Sequence, residues 1–274
     1  MGGGGLFLIE LNKKHGRGCK VTKWTAYPVS KIYRECDLVM EYLYCTAGNY
    51  EDYASGRVIY GAKGIPNFPV RMIVEIFGRA LEASCKKDML SVYDPCCGGA
   101  YSLTIIGFFY GLHIHKIYGS DISENMISCA KKNLKLLTYD GLDERRKELE
   151  KLFTEYGKES HSEAIRSIEK LRLQLGREIA SETFVADCTK TLPDIKPDII
   201  ITDIPYGNLV DWGGNGEINA MLNRLWEISG DNTILAVSMD KNQKVLHDHW
   251  KRIEKQNIGK RRFEILRKIA WDMR

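Results

Sequence analysis

Apolar residues in this chain fall into short continuous runs that alternate with longer stretches of helical spacing. Residues 89–94, 116–119, 184–186, 198–202 and 233–239 are short apolar runs that read as strands. The run Ile199-Ile200-Ile201 leaves no polar face, as expected of a parallel strand covered on both sides. Between the runs lie helices. Ile73, Ile76, Phe77, Ala80 and Leu81 share one face of a helix predicted over Val70–Ala83. Residues 101–110 are apolar almost all round and predict a buried helix. Ser123 is placed to N-cap a third helix, with Glu124 favourable in its first turn, continuing through Met126, Ile127, Ala130 and Leu134. Residues 217–229 and 244–254 are read as further helices. Residues 263–269 are read as a last, basic strand at a sheet edge, where Lys and Arg are suited. Strand–helix alternation of this kind predicts an α/β protein with a doubly wound sheet.

The alternation breaks once. Residues 138–178 are rich in charge, with Leu149, Phe153, Tyr156, then Ile165, Ile168 and Leu175 at helical steps. Gly157 divides them, which predicts an inserted helical hairpin. Ahead of the alternating part, residues 1–52 form an N-terminal extension and 53–274 the main domain. Pro66 and Pro69 bracket Phe68 in a stiff, extended segment, and Pro69 also suits a helix start.

Composition changes this picture little. The 274 residues are 44% hydrophobic and 28% charged, ordinary for a soluble globular protein. No apolar run reaches the roughly 18–20 residues of a membrane span. The Gly-rich start has neither a basic region nor a long apolar core, so no signal peptide is expected. Eight cysteines, none in a C-x-x-C pair, then read as reduced thiols of a cytoplasmic protein. A zinc site of Cys36, Cys45 and Cys19 or His15 lacks ligand spacing, and no metal is expected. The net charge of +4 is uneven, because basic residues outnumber acids in 1–35 and 241–274. Charge alone leaves open a polyanion partner and two solvated faces.

The candidate chemistry sits at strand ends. The strand of residues 198–202 stops at Asp203-Ile204-Pro205-Tyr206-Gly207. Ligands of open α/β sheets bind at the carboxyl ends of strands. Asp94, Asp121 and Asp187 end three other strands, and Gly98-Gly99 follow the first. The turn is neither the G-x-G-x-x-G of a dinucleotide site nor a P-loop, so it offers no phosphate cradle. A ligand without phosphates suits it, and S-adenosylmethionine is one. Gly98 and Gly99 would let the backbone approach closely. Asp121 would accept from the ribose hydroxyls, Asp187 from the adenine amine, and Ile122 would cover the adenine. Asp94 would lie near the ammonium.

These residues resemble the class I, Rossmann-like methyltransferases. Asp94-Pro95-Cys96-Cys97-Gly98-Gly99-Ala100 is similar to their first motif, with Ala100 where glycine is common, so Pro95 and Cys97 join the expected cofactor contacts. Asp203-Ile204-Pro205-Tyr206 is similar to their fourth motif, [DN]-P-P-[YFW], with Ile204 in place of a proline, and the resemblance adds Asp203 to the expected cofactor contacts. A closer resemblance, from about residue 53 onward, is to the avilamycin-resistance rRNA methyltransferases of the AviRa type. It rests on Ala54-Ser55-Gly56-Arg57-Val58, on Phe68-Pro69-Val70-Arg71, on the hairpin and on Thr202-Asp203-Ile204-Pro205-Tyr206-Gly207. The resemblance implies a Rossmann-like methyltransferase sheet and S-adenosylmethionine as methyl donor. It implies methylation of a guanosine base of large-subunit 23S rRNA, free or in the ribosomal subunit, and orthosomycin resistance. The exocyclic N2 amine is the expected target, with Asp203, Pro205 and Tyr206 catalytic. Asp203 and the Ile204 carbonyl would accept from the amine, and Tyr206 would stack on the base. Arg57, Phe68, Arg71 and Tyr206 are the expected RNA contacts, and a monomer is expected. Two alternatives stay open: an adenine-N6 methyltransferase, and a non-catalytic RNA-binding or ribosome-assembly factor.

Overall fold

The structure, a computed structural model, describes residues 40–62, 68–204, 215–243, 245 and 248–269, with the side chains of 215 and 216 left out. The expectations for residues 1–39, Pro66, Pro205, Tyr206 and Gly207 lie outside the described residues. The chain divides into two compact units, Met1–Glu41 and Tyr42–Arg274, of which the second carries the sheet.

The elements follow the hydrophobic pattern. They are α1 (Val70–Ala83), β1 (Leu90–Asp94), α2 (Tyr101–Tyr110), β2 (Ile114–Asp121), α3 (Glu124–Lys135), α4 (Tyr139–Tyr156), α5 (Glu159–Gln174), β3 (Ala180–Val185), β4 (Ile199–Asp203), α6 (Asn215–Ile228), β5 (Ile234–Asp240), β6 (Trp250–Ile258) and β7 (Arg261–Lys268). The described strands form one sheet in the order β3-β2-β1-β4-β5-β7-β6. The first five are mutually parallel, and β7 runs antiparallel between β5 and β6. The chain winds outward from β1 through β2 to β3, then returns to β4 and winds the other way. The crevice at that reversal, above the carboxyl ends of β1 and β4, is where such sheets bind ligands.

Each face of the sheet has its own reason to be covered. Tyr93, Ile200, Leu235, Val237 and Leu266 pack with Ile218, Met221, Leu222 and Leu225 of α6 in one fully buried cluster. On α1, the apolar stripe Ile73, Ile76, Phe77 and Ala80 is buried as its spacing requires. Ser123 caps α3 by accepting from the Met126 amide, and Gly157 closes α4 in the left-handed conformation.

Two expectations change. Residues 248–254 of the expected 244–254 helix are not helical, since β6 occupies Trp250–Ile258. The last basic strand is not the edge, since β7 is paired on both sides. Trp250 and Ile253 lie three apart, a helical interval, and β6 exposes Lys251, Arg252 and Lys255, so it shows no clean period of two. An edge strand tolerates that pattern, whereas the inner β7 buries Phe263, Glu264 and Ile265 in succession. Gly259 (φ +58°) and Lys260 make the tight turn of the hairpin.

The inserted hairpin holds the approach to the sheet. Arg145 of α4 donates to the carbonyls of Val58 and Arg57, and Tyr60 donates to Glu148. Asp52 pairs with Lys170 and accepts from Ser167 of α5. Residues 51–60 are thereby fastened across α4 and α5.

Candidate active site

The first wall of the site is the turn after β1. Asp94 ends that strand almost fully buried, and its carboxylate accepts from the Cys96 amide at 3.0 Å. Gly98 (φ +53°) and Ala100 (φ +58°) both adopt the left-handed conformation, and this explains why a glycine is favourable where Ala100 stands. A Cβ on Gly99 would meet Cys129 Sγ at 3.0 Å and Ala62 Cβ at 3.4 Å. Buried Asn133 of α3 fixes this packing by donating to the Gly99 carbonyl (2.8 Å) and pairing with the backbone of Tyr60. The hairpin-held segment and the glycine turn thus share one anchor.

Asp121, at the end of β2, accepts from the Gly98 amide and the Ser123 amide, each at 2.9 Å. Beside it Ile122 is 71% exposed and Val185, its neighbour on β3, is 54% exposed. Two apolar side chains thus stand uncovered at adjacent strand ends. Asp187 follows in the next loop. It accepts from the Thr189 amide and hydroxyl and pairs with Lys190, which hold its carboxyl down at about 2. The thiols of Cys96 and Cys188 lie 3.4 Å apart behind the turn, and burial pushes that of Cys97 up.

The second wall is the end of β4. A cleft is lined by Phe68, Asp94, Ser102, Thr202, Asp203 and Ser238, over a floor of Ile73, Ile76 and Ile201. Asp203 is the last residue of β4 and sits in register opposite Ser238 of β5. Its Oδ2 accepts from Arg261 Nη1 at 2.7 Å, and the Arg261 guanidinium lies 4.6 Å from the Phe68 ring centre. Among the described residues, Asp203 Oδ1, Thr202 Oγ1 and Ser238 Oγ are buried in this cleft without a hydrogen bond of normal geometry, although the Ser238 and Thr202 hydroxyls lie close enough to Asp203 and Asp94 to favour their ionised forms. Such groups are costly unless a ligand or water satisfies them, so the cleft is built to receive a polar molecule. Burial raises the Asp203 carboxyl, with Arg261 pulling the other way. Burial also drives Asp94 up to about 7, and the charges of Asp121 and Asp203 add to it. Ile204, where the fourth motif has a proline, is fully buried in the α6-facing cluster and keeps β4 in line by donating its amide to the Ser238 carbonyl.

The residues expected from the sequence separate into three groups. Asp94, Pro95, Cys97, Gly98, Gly99, Asp121 and Ile122 surround one turn, with Asp187 at the adjoining strand end. Asp203 and Phe68 share the cleft with Asp94. Arg57 and Arg71 are elsewhere, held by their own chain. Arg57 donates to Ser167 and pairs with Glu163 and Glu51. Arg71 donates to the Cys45 carbonyl and covers the Tyr42 ring at 3.7 Å. Pro205 and Tyr206 are outside the described residues. Sequence reasoning missed Thr202, Ser238 and Arg261. Thr202 and Ser238 look like ordinary strand interior, and Arg261 stands inside a basic run. Only the sheet register brings Ser238 and Arg261 to Asp203, while Thr202 is its neighbour in the chain.

Known proteins resemble this chain in sequence and fold. A family model described as "rRNA methyltransferase AviRa" matches residues 40–261. A curated protein of Streptomyces viridochromogenes, 23S rRNA (guanine(2535)-N(1))-methyltransferase, is 31% identical over 228 residues, covering 79% of this chain and 91% of its own length. Two solved structures of rRNA methyltransferase aviRa from the same organism superpose with TM-scores of 0.71 and 0.72, at 31% identity and with the same coverage. The relative's name puts the methyl group on guanine N1, an atom different from the exocyclic N2 expected from the fourth motif.

Proposed function

The chain belongs to the AviRa family of rRNA methyltransferases, and we propose that it transfers a methyl group from S-adenosylmethionine to N1 of a guanine in 23S rRNA. Resistance to orthosomycin antibiotics is the proposed cellular consequence. The observation that carries the reading is the cleft at the ends of β1 and β4, where Asp203 keeps one buried carboxylate oxygen without a hydrogen bond of normal geometry among the described residues. The guanine specificity of the 31% identical relative favours guanine over the adenine alternative.

The residues of the first wall fit the methyl donor. Asp94 is buried, carries a raised carboxyl and would be relieved by a cationic ligand. Gly98 and Gly99 would admit its amino-acid part, Asp121 its ribose, and Ile122 and Asp187 its adenine. When bound, the donor supplies a methyl group made electrophilic by a positive sulfonium.

The change from N2 to N1 alters what the protein must do. An exocyclic amine needs only hydrogen-bond acceptors as its nitrogen turns tetrahedral. Guanine N1 carries a hydrogen, and its lone pair is not available until that proton leaves. A carboxylate is therefore needed as a general base, and burial raises its basicity. Asp203 answers that need, whereas D-P-P-Y-like spelling alone does not tell an acceptor from a base. Thr202 and Ser238 offer hydroxyls to the polar edge of the base. A base paired in RNA must be turned out of its stack to reach the cleft.

The experiment is incubation of 23S rRNA and of large ribosomal subunits with the protein and labelled S-adenosylmethionine, followed by reverse transcription. Methylation at N1 blocks the pairing edge, so label incorporation with a strong stop at one guanine is expected. Label without any stop would contradict N1, and no label in either substrate would contradict the function.

A further inference from the structure

Arg261 does more than neutralise a neighbour. It reaches from the start of β7, across β5, to the end of β4. Its Nη1 holds Asp203 Oδ2 at 2.7 Å while its guanidinium lies over the Phe68 ring at 4.6 Å, and both partners line the cleft. Phe68 limits the sideways freedom of the guanidinium, and the guanidinium limits rotation of the carboxylate. Among the described residues, Asp203 Oδ1 is buried without a hydrogen bond of normal geometry, and the Ser238 hydroxyl is the carboxyl's other polar neighbour. A side chain used only for stability would leave no such oxygen, because an orphaned acceptor costs free energy.

We propose that Arg261 is a positioning residue for methyl transfer: it holds one oxygen of Asp203 against the Phe68 side of the cleft and so presents the other to guanine N1 as the proton acceptor. This rests on Asp203 being the base. In the step, the N1–H bond breaks and its proton goes to Asp203 Oδ1. The N1 electron pair forms the N–CH3 bond, the pair of the broken sulfur–methyl bond stays on sulfur, and Asp203 later returns the proton to solvent.

The charged surroundings of Asp203 make this measurable. From β1 it faces Asp94, from β7 Arg261, while β5 contributes only Ser238 and the α1 side only Phe68, Ile73 and Ile76 among the described residues. Burial opposes the ionised form; Arg261 is the larger of the two groups that favour it, the Ser238 hydroxyl the smaller. Removing Arg261 should move the titration of Asp203 upward, and with it the acid limb of the rate profile.

The test compares wild type, Arg261→Met, Arg261→Lys and Asp203→Asn. It reads kcat/KM against pH, the Asp203 carboxyl by 13C NMR, and S-adenosylhomocysteine affinity by calorimetry. For Arg261→Met, a loss of about tenfold near pH 6 that closes to about threefold near pH 9 is expected. The NMR titration should move upward, and S-adenosylhomocysteine affinity should stay within about twofold. Arg261→Lys should recover part of the limb, since an ammonium restores the charge but not the planar fork. A loss equal at every pH, or an unmoved Asp203 titration, overturns the proposal. An inactive Asp203→Asn beside an unshifted Arg261→Met would remove the role of Arg261 alone. A fully active Asp203→Asn would instead remove the parent reading of Asp203 as base.

Discussion

Asp94 concentrates the electrostatic cost of the site in one side chain. It is 5% exposed, and burial lifts its carboxyl from 3.8 to about 7. The folded protein therefore keeps this proton to higher pH than the unfolded chain does. Stability without ligand should fall as pH rises from about 4 to about 7, by at most about 1.4 kcal/mol per pH unit. Urea unfolding at intervals across that range should show the slope in wild type and a flatter line in Asp94→Asn. The same substitution should weaken S-adenosylhomocysteine binding, because a ligand carrying an ammonium compensates the buried carboxylate. Asp94, Asp121 and Asp203 were legible as strand-end acids. Ser238 and Arg261 were not, because their roles come from a neighbour tens of residues away in the chain, and Thr202, though beside Asp203, reads as ordinary strand interior. Arg57 and Arg71 stood out as cations in motif-like segments, yet the partners that hold them, Ser167, Glu163 and the Cys45 carbonyl, come from the hairpin and the segment before α1.

Among elements, α1 shows how a helix can bury the side away from its apolar stripe through a polar anchor. Glu75 is fully buried and accepts from Arg79 and from the amides of Leu43 and Tyr44, while Arg79 also pairs with Glu254 of β6. One carboxylate thus joins the entering chain, α1 and, through Arg79, the edge strand. Breaking such a buried pair from one side leaves an uncompensated charge, so Glu75→Ala should cost about 3–5 kcal/mol. That should appear as a large fall in melting temperature, with the double change Glu75→Leu/Arg79→Leu less harmful than the single one. The helical periods of α3 and the α4–α5 hairpin were legible because each has one solvated face, and α1 was legible from its apolar stripe although residues 72–81 are buried all round. The β6–β7 ribbon was not, because an edge strand with Lys and Arg on both faces has no period, and its partner β7 is buried despite its charges.

At the scale of the molecule, the doubly wound order was readable from alternation alone, since the handedness of β-α-β connections leaves few ways to arrange it. What alternation could not supply was the register that sets β4 against β5 and aims Arg261 at Asp203. The turn of the β6–β7 ribbon also places exposed Lys260 directly before Arg261. If this lysine meets the RNA backbone, Lys260→Ala should weaken RNA binding and lower the slope of log affinity against log salt by about one unit. An unchanged slope in filter-binding titrations would place the RNA elsewhere. The most direct measurement of the central claim is nucleoside mass spectrometry of 23S rRNA treated with S-adenosylmethionine and either wild type or Asp203→Asn, with S-adenosylhomocysteine binding measured on both. The account predicts 1-methylguanosine from wild type and none from Asp203→Asn, at equal affinity for S-adenosylhomocysteine. Undiminished 1-methylguanosine from Asp203→Asn, or a wild-type product methylated on adenine, would contradict it.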